Sequence, residues 1–184
     1  MEAEMKLHPG RPASLEGRAD REVRVYDYLD GLGIPYQQMD HPPADTMEIC
    51  RQRERLLGCT ICKNLFLTNR NQSKFYLLCM PGEKPFKTRE IADQIGSSRL
   101  SFAPEDKMLE YLDILPGSVS VMGLMNDTGH QVQLLVDRDV LAGEFFGCHP
   151  CVNTSSLRLH TEDVFGKYIA ATGHSAIPVT LTGS

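Results

Sequence analysis

Two apolar runs, residues 61–68 (ICKNLFLT) and 74–80 (KFYLLCM), stand on either side of the polar loop Asn69-Arg70-Asn71-Gln72. Strand-length runs joined through turn-forming residues read as a β-hairpin. Helical signals flank that hairpin. Upstream, Asp20 is placed to cap a helix whose apolar positions Val25, Tyr28, Leu29 and Leu32 recur at three- and four-residue spacing. Gly31, Gly33 and Pro35 stop it, a short strand is expected at 36–40, and His41-Pro42-Pro43 makes a turn. Thr46 then opens a second helix that runs to Leu57 and ends at Gly58.

Downstream, Pro81-Gly82 is a turn, and Thr88 is expected to cap a helix that reaches Ile95 and closes at Gly96. Pro104 takes the first position of a helix over 104–112, a place that suits its missing N–H. Leu115-Pro116-Gly117 turns into an expected strand at 118–122. A strand at 131–137, a short helix at 138–143, a strand at 157–160 and a helix at 161–171 capped by Thr161 complete the order. A hairpin together with helical crossovers indicates one compact α/β (mixed α+β) domain, its mixed sheet flanked by helices. The chain's 184 residues suit a single domain with a real core. The expected boundaries are a flexible tail at 1–18, the domain over 19–175, and a C-terminal tail at 176–184.

Composition narrows the function. No apolar run reaches membrane-spanning length, and the N-terminus MEAEMKLHPGRPASLEGR lacks the apolar core of a signal peptide. A cytoplasmic location without membrane association is expected, with the six cysteines as free thiols. The net charge of -5 argues against nucleic acid until its distribution is read. Positions 51–107 hold 11 Lys/Arg against 6 Asp/Glu, while the rest of the chain holds 8 against 18. A basic middle in an acidic chain can form one phosphate-binding face; ordinary solvated charge gives the same count.

Two CxxC pairs, Cys59/Cys62 and Cys148/Cys151, suggest a zinc knuckle set or a redox pair. The 85 residues between Cys62 and Cys148 far exceed the roughly 15–20 usual between knuckles, and a cysteine inside an apolar strand is often a small core residue. Gly-rich phosphate loops and a Gly-x-Ser-x-Gly elbow are absent from the sequence. Lys63 inside the apolar run is a cation on the wet face of a sheet or one held against a substrate. His149 is a loop histidine or a site residue. Gly117-Ser118 is a tight turn or a pocket wall where backbone N–H groups approach a ligand.

Read in order, DHPPADTMEIC (40–50), CKNLFLTNRNQSKFYLLCMPGEKPFKTREIADQIGSSRLSFAPEDKMLEYL (62–112), PGSVSVMGLMND (116–127) and GCHPCVNTSSLRLHTEDV (147–164) closely resemble the YbaK/ProX family of tRNA-editing domains. Within it the chain is most similar to the free-standing alanyl-tRNA(Pro) deacylases, themselves similar to the editing domain of bacterial prolyl-tRNA synthetases. The resemblance covers about residues 21–172. It implies a compact fold with a mixed, curved sheet, and hydrolysis of alanine from mischarged tRNA(Pro). It implies no metal or other cofactor. The acceptor end of tRNA(Pro) is the partner, prolyl-tRNA synthetase an open second one, and a monomer the default. By the same resemblance Lys63, Asn64 and His149 carry the reaction. Gly117, Ser118, Val121, Met122, Gly123 and Asn153 shape the substrate pocket. From the basic middle, Lys84, Lys87 and Arg89 are candidate contacts to the tRNA phosphates, which solvated helix-surface charge explains equally well. The chain departs from the family pattern at Ser120-Val121-Met122, where Ser/Thr-Pro-Phe is usual, and at Cys148, where an aromatic residue is common. These departures leave open cysteinyl-tRNA(Pro) or another small aminoacyl-tRNA as substrate. A non-catalytic tRNA- or synthetase-binding module is the reading from a different class.

Overall fold

The computed structural model describes residues 5–43 and 46–182. The second run of the hairpin explains the layering. Strand β4 (Phe75–Met80) is buried along its whole length. Its side chains alternate between two cores: Phe75, Leu77 and Cys79 enter a large cluster, while Tyr76, Leu78 and Met80 enter a smaller one. A strand covered on both faces reads as a continuous apolar run. It is the middle strand of a five-stranded sheet ordered β5-β3-β4-β6-β9. Here β3 is Lys63–Thr68, β5 is Ser101–Phe102, β6 is Val132–Asp137 and β9 is Ala176–Val179. The pairs β5/β3 and β3/β4 are antiparallel, while β4/β6 and β6/β9 are parallel, so the sheet is mixed.

A second, antiparallel sheet has the order β1-β2-β8-β7, from Leu7–Pro9, Gln37–Asp40, Ser155–His160 and Phe145–Cys148. The two sheets meet where Ile61 bridges Gly147 and the Cys62 N–H donates to the Gly147 carbonyl at 3.1 Å. A Cβ on Gly147 would stand 2.8 Å from the Thr60 carbonyl oxygen and 3.1 Å from the Cys59 Sγ. Only glycine allows this approach.

Helices α1 (Asp20–Gly31), α2 (Met47–Leu57), α3 (Thr88–Ile95), α4 (Glu105–Leu112), α5 (Arg138–Ala142) and α6 (Ile169–Ala171) surround the sheets. Thr46 caps α2, its hydroxyl accepting from the Ile49 N–H at 3.3 Å, and Gly58 ends it at φ 78°. Asp20 and Thr88, expected as caps, are instead the first helical residues, after Ala19 and Lys87, and Pro104 precedes its helix by one. The Thr161 hydroxyl is buried without a partner rather than capping, and a π-helical turn at Asp163–Tyr168 interrupts the last helix.

The expected strand at 118–122 is a 3₁₀ helix, Val121–Asn126. Ser120 starts it by accepting from the Met122 N–H at 3.1 Å. The buried Tyr168 hydroxyl donates to the Met122 carbonyl at 2.6 Å and accepts from the Met125 N–H at 3.2 Å. These side-chain bonds replace a sheet ladder. At the ends, β1 pairs with β2, Arg18 bridges Glu22 and Asp40, and β9 pairs with β6, so much of each expected tail is tied into a sheet. Residues 1–4 and 183–184 of those tails lie outside the described residues.

Gly147→Ala should destabilise the fold by about 1–3 kcal/mol, because a backbone carbonyl cannot move aside as a side chain can. Urea denaturation of the variant beside wild type measures it.

Candidate active site

The junction at Gly147 gathers the expected site segments. Directly after it come Cys148 and His149. Ser120, at the head of the 3₁₀ helix, sits against the Cys148 thiol, and Cys62 leads into Lys63 and Asn64. The register of β3 then separates those two residues. Asn64 pairs with Cys79 and so shares the face of the large core; Lys63 pairs with Met80 and so shares the opposite face. Asn64 is half-buried, its amide donating to the Cys62 carbonyl at 3.1 Å. Its carbonyl oxygen is buried with no donor among the described residues. Lys63 is exposed and forms no ion pair or side-chain hydrogen bond among the described residues. Asn64 thus faces the large core, and Lys63, on the opposite face of β3, is exposed.

His149 is half-buried, with its Nδ1–H donating to the Ser155 carbonyl at 2.8 Å. A carbonyl only accepts, so this bond fixes the tautomer and leaves Nε2 as a lone pair. Burial lowers the pKa to about 4, and the nearby Arg53 charge adds to the effect. His41 lies 6.0 Å away, ring centroid to ring centroid. Its Nδ1–H donates to the Pro42 carbonyl at 2.9 Å, and its Nε2 accepts from the Ser156 hydroxyl at 2.7 Å. Burial, the largest influence, lowers its pKa too. Both imidazoles are neutral at pH 7, and neither has a free N–H to give a carbonyl oxygen. An open cleft of about 1390 Å³ borders His41, Asp40, Gln52, Val152 and Thr154. It does not reach Lys63, Gly117 or His149.

Gly117 is an exposed turn residue at φ 88°, and Ser118 is buried beside it. Val121 and Met122 are wholly buried in the large core. A Cβ on Gly123 would meet Ile114 Cδ1 at 2.5 Å. These three, expected at the substrate pocket, are packed into the fold behind the turn at Gly117-Ser118. Asn153 is half-buried in the loop after His149 and makes no side-chain hydrogen bond among the described residues.

The family model of the aminoacyl-tRNA editing domain matches residues 41–166. The chain belongs to the aminoacyl-tRNA editing domain family. The prolyl-tRNA editing protein ProX of Acetoanaerobium sticklandii is 31% identical over 156 residues, which cover 85% of this chain and 94% of that protein. The prolyl-tRNA synthetase associated domain-containing protein 1 of Mus musculus is 31% identical over 169 residues, covering 90% and 96%. The crystal structure of hypothetical protein APE2540 superimposes with a TM-score of 0.63 at 18% identity, over 86% of this chain and 98% of that one, and so shares the fold.

In this editing domain Cys79, Cys148 and Cys151 are core residues and Cys62 packs against them. Burial pushes the Cys59 thiol up to about 11 and Cys151 to about 12, and holds Cys79 and Cys148 far above the ordinary thiol range. Thiols so disfavoured as thiolates are poor nucleophiles. Among the described residues no three His, Cys, Asp or Glu are grouped to hold a metal ion. Lys84, expected on the tRNA, is held by Asp137 at 2.9 Å, Asp139 at 2.7 Å and the Leu181 carbonyl at 2.8 Å. Its charge is spent inside the editing domain. Lys87 and Arg89 are exposed, Arg89 with only Asp93 at 3.9 Å. The sequence reading gave little weight to His41 and none to Arg53. His41 had a signal in its place before Pro42-Pro43. Arg53 had none in a helix crowded with charge.

A pH dependence follows from His149. Its folded pKa of about 4 lies below the ordinary 6.5, so between those values the unfolded chain binds the extra proton. Stability should fall as pH drops from about 6.5 toward 4, and the fall should shrink in His149→Gln. Urea midpoints at pH 7 and pH 5 measure both.

Proposed function

We propose that this chain is a free-standing hydrolase that deacylates Ala-tRNA(Pro), clearing a charging error of prolyl-tRNA synthetase in the cytoplasm. The observation that carries the reading is the buried carbonyl oxygen of Asn64, without a donor among the described residues, two residues on from the Cys62–Gly147 junction. A buried acceptor without a partner costs about 1–3 kcal/mol. A ribose hydroxyl of the terminal adenosine would supply the missing donor. The curated relatives support the substrate class, since one is a prolyl-tRNA editing protein.

The physical need for such an enzyme is clear. A site shaped for proline rejects the smaller alanine weakly, because each missing methylene is worth only about 1–3 kcal/mol. A second site that admits alanine and excludes a pyrrolidine ring completes the discrimination. On this reading the turn at Gly117-Ser118, backed by the buried Val121 and Met122, forms the wall that turns the larger ring away.

The ester is already activated, so water can attack it without a strong protein nucleophile. The His149 Nε2 lone pair orients that water or the vicinal 2′-hydroxyl. With its pKa near 4 it accepts a hydrogen bond without holding the proton. Water adds to the carbonyl carbon, the carbon–oxygen bond to the ribose breaks, and the proton ends on the ribose oxygen. Alanine and free tRNA leave. Lys63, on the outer face of the same strand, anchors the terminal phosphate, and Lys87 and Arg89 extend that contact along the acceptor stem.

Deacylation measured on tRNAs charged with Ala, Cys, Ser and Pro should show Ala hydrolysed and Pro spared. Lys63→Ala should lower kcat/KM on Ala-tRNA(Pro) at least tenfold, chiefly through KM, and flatten the dependence of binding on log salt by about one unit. A wild-type rate in Lys63→Ala would remove this lysine from the reaction. Hydrolysis of Cys-tRNA ahead of Ala-tRNA would reassign the substrate.

A further inference from the structure

Arg53 is 7% exposed. Its Nη2 reaches the Cys50 Sγ at 3.6 Å, and its Nε is buried with no acceptor. No carboxylate pairs with it among the described residues. Glu54, its neighbour in α2, is turned to the Ile61 N–H instead, at 3.2 Å. Arginine cannot shed its proton, so this is a permanent, nearly enclosed charge without a counter-ion. Such a charge is costly to keep unless an anion arrives to meet it.

Its setting says what kind of anion. His41 and His149 both lie within reach of its field. Both spend their only N–H on backbone carbonyls; the His41 Nε2 accepts from the Ser156 hydroxyl, and the His149 Nε2 keeps its lone pair. The imidazoles can hold donors and cannot hold negative oxygen. In this corner of the fold Arg53 is the group that can.

We infer that Arg53 forms an anion-binding site between α2 and the histidine pair, its Nε–H receiving a negatively charged oxygen of the bound substrate. The identity of that oxygen rests on the editing reading: it belongs to the 3′-terminal phosphate or to the oxyanion that forms when water adds to the ester. Arg53 binds; it transfers no proton. Cys50 lies against the guanidinium, and His149 holds the water on the other side of the carbonyl.

The test uses the full chain as wild type, Arg53→Met and Arg53→Lys, with thermal melts in rising inorganic phosphate and single-turnover deacylation of Ala-tRNA(Pro). Arg53→Met should melt above wild type, because it removes a buried unpaired charge, yet deacylate at least tenfold more slowly. Phosphate should raise the melting temperature of wild type and Arg53→Lys, and leave Arg53→Met unmoved. A loss at saturating enzyme assigns the oxyanion; a loss recovered by more enzyme assigns the terminal phosphate. A merely structural arginine would instead lower the melting temperature when replaced and leave phosphate without effect. That outcome, or wild-type deacylation by Arg53→Met, overturns the proposal. Should wild type hydrolyse none of the charged tRNAs, the editing reading fails, and the phosphate melts alone decide for or against the anion site.

Discussion

Gly147 is the point at which the two sheets touch, and the contact depends on an absent side chain. The Thr60 carbonyl occupies the space where a Cβ would be. Because Ile61 and Cys62 are pinned there, β3 begins beside the end of β7. That single approach joins the start of β3 to the end of β7, although the two are far apart in sequence. It also fixes the phase of β3. One residue of slip would exchange the faces of Lys63 and Asn64, turning the amine inward and the amide out.

The two faces of β3 divide the chemistry. Inside, the groups are neutral and mostly accept: the Asn64 carbonyl, the His149 Nε2 and buried thiols held in their protonated form. Outside, exposed cations stand at Lys63, Lys87 and Arg89. Arg53 is the exception, a charge placed among neutral groups.

Much of this was legible in the sequence where the signal is local. The hairpin, α2 with its Thr46 cap and Gly58 stop, and the strand before Asp137 follow from turn chemistry and apolar period. The strand expected at 118–122 failed because side chains from elsewhere, chiefly Tyr168, satisfy the backbone that a ladder would have paired. The edge strands β1 and β9 are short, and their pairing partners are distant or polar, so no period marks them. Lys84 shows the same limit at the site. Its position in a basic stretch suggested RNA, and only the fold brings Asp137 and Asp139 to it. The family motifs supplied the site's membership, while the register of β3 supplied its geometry.

The division of β3 into an inner and an outer face can be read directly by NMR. A non-hydrolysable 3′-alanylamido-adenosine carrying its 5′-phosphate would be titrated into isotope-labelled protein. The Asn64 side-chain amide and the His149 ring should shift with the sugar and acyl end, and the Lys63 amine with the phosphate. Saturable binding that leaves all three resonances in place, with shifts gathered elsewhere on the fold, would contradict the account.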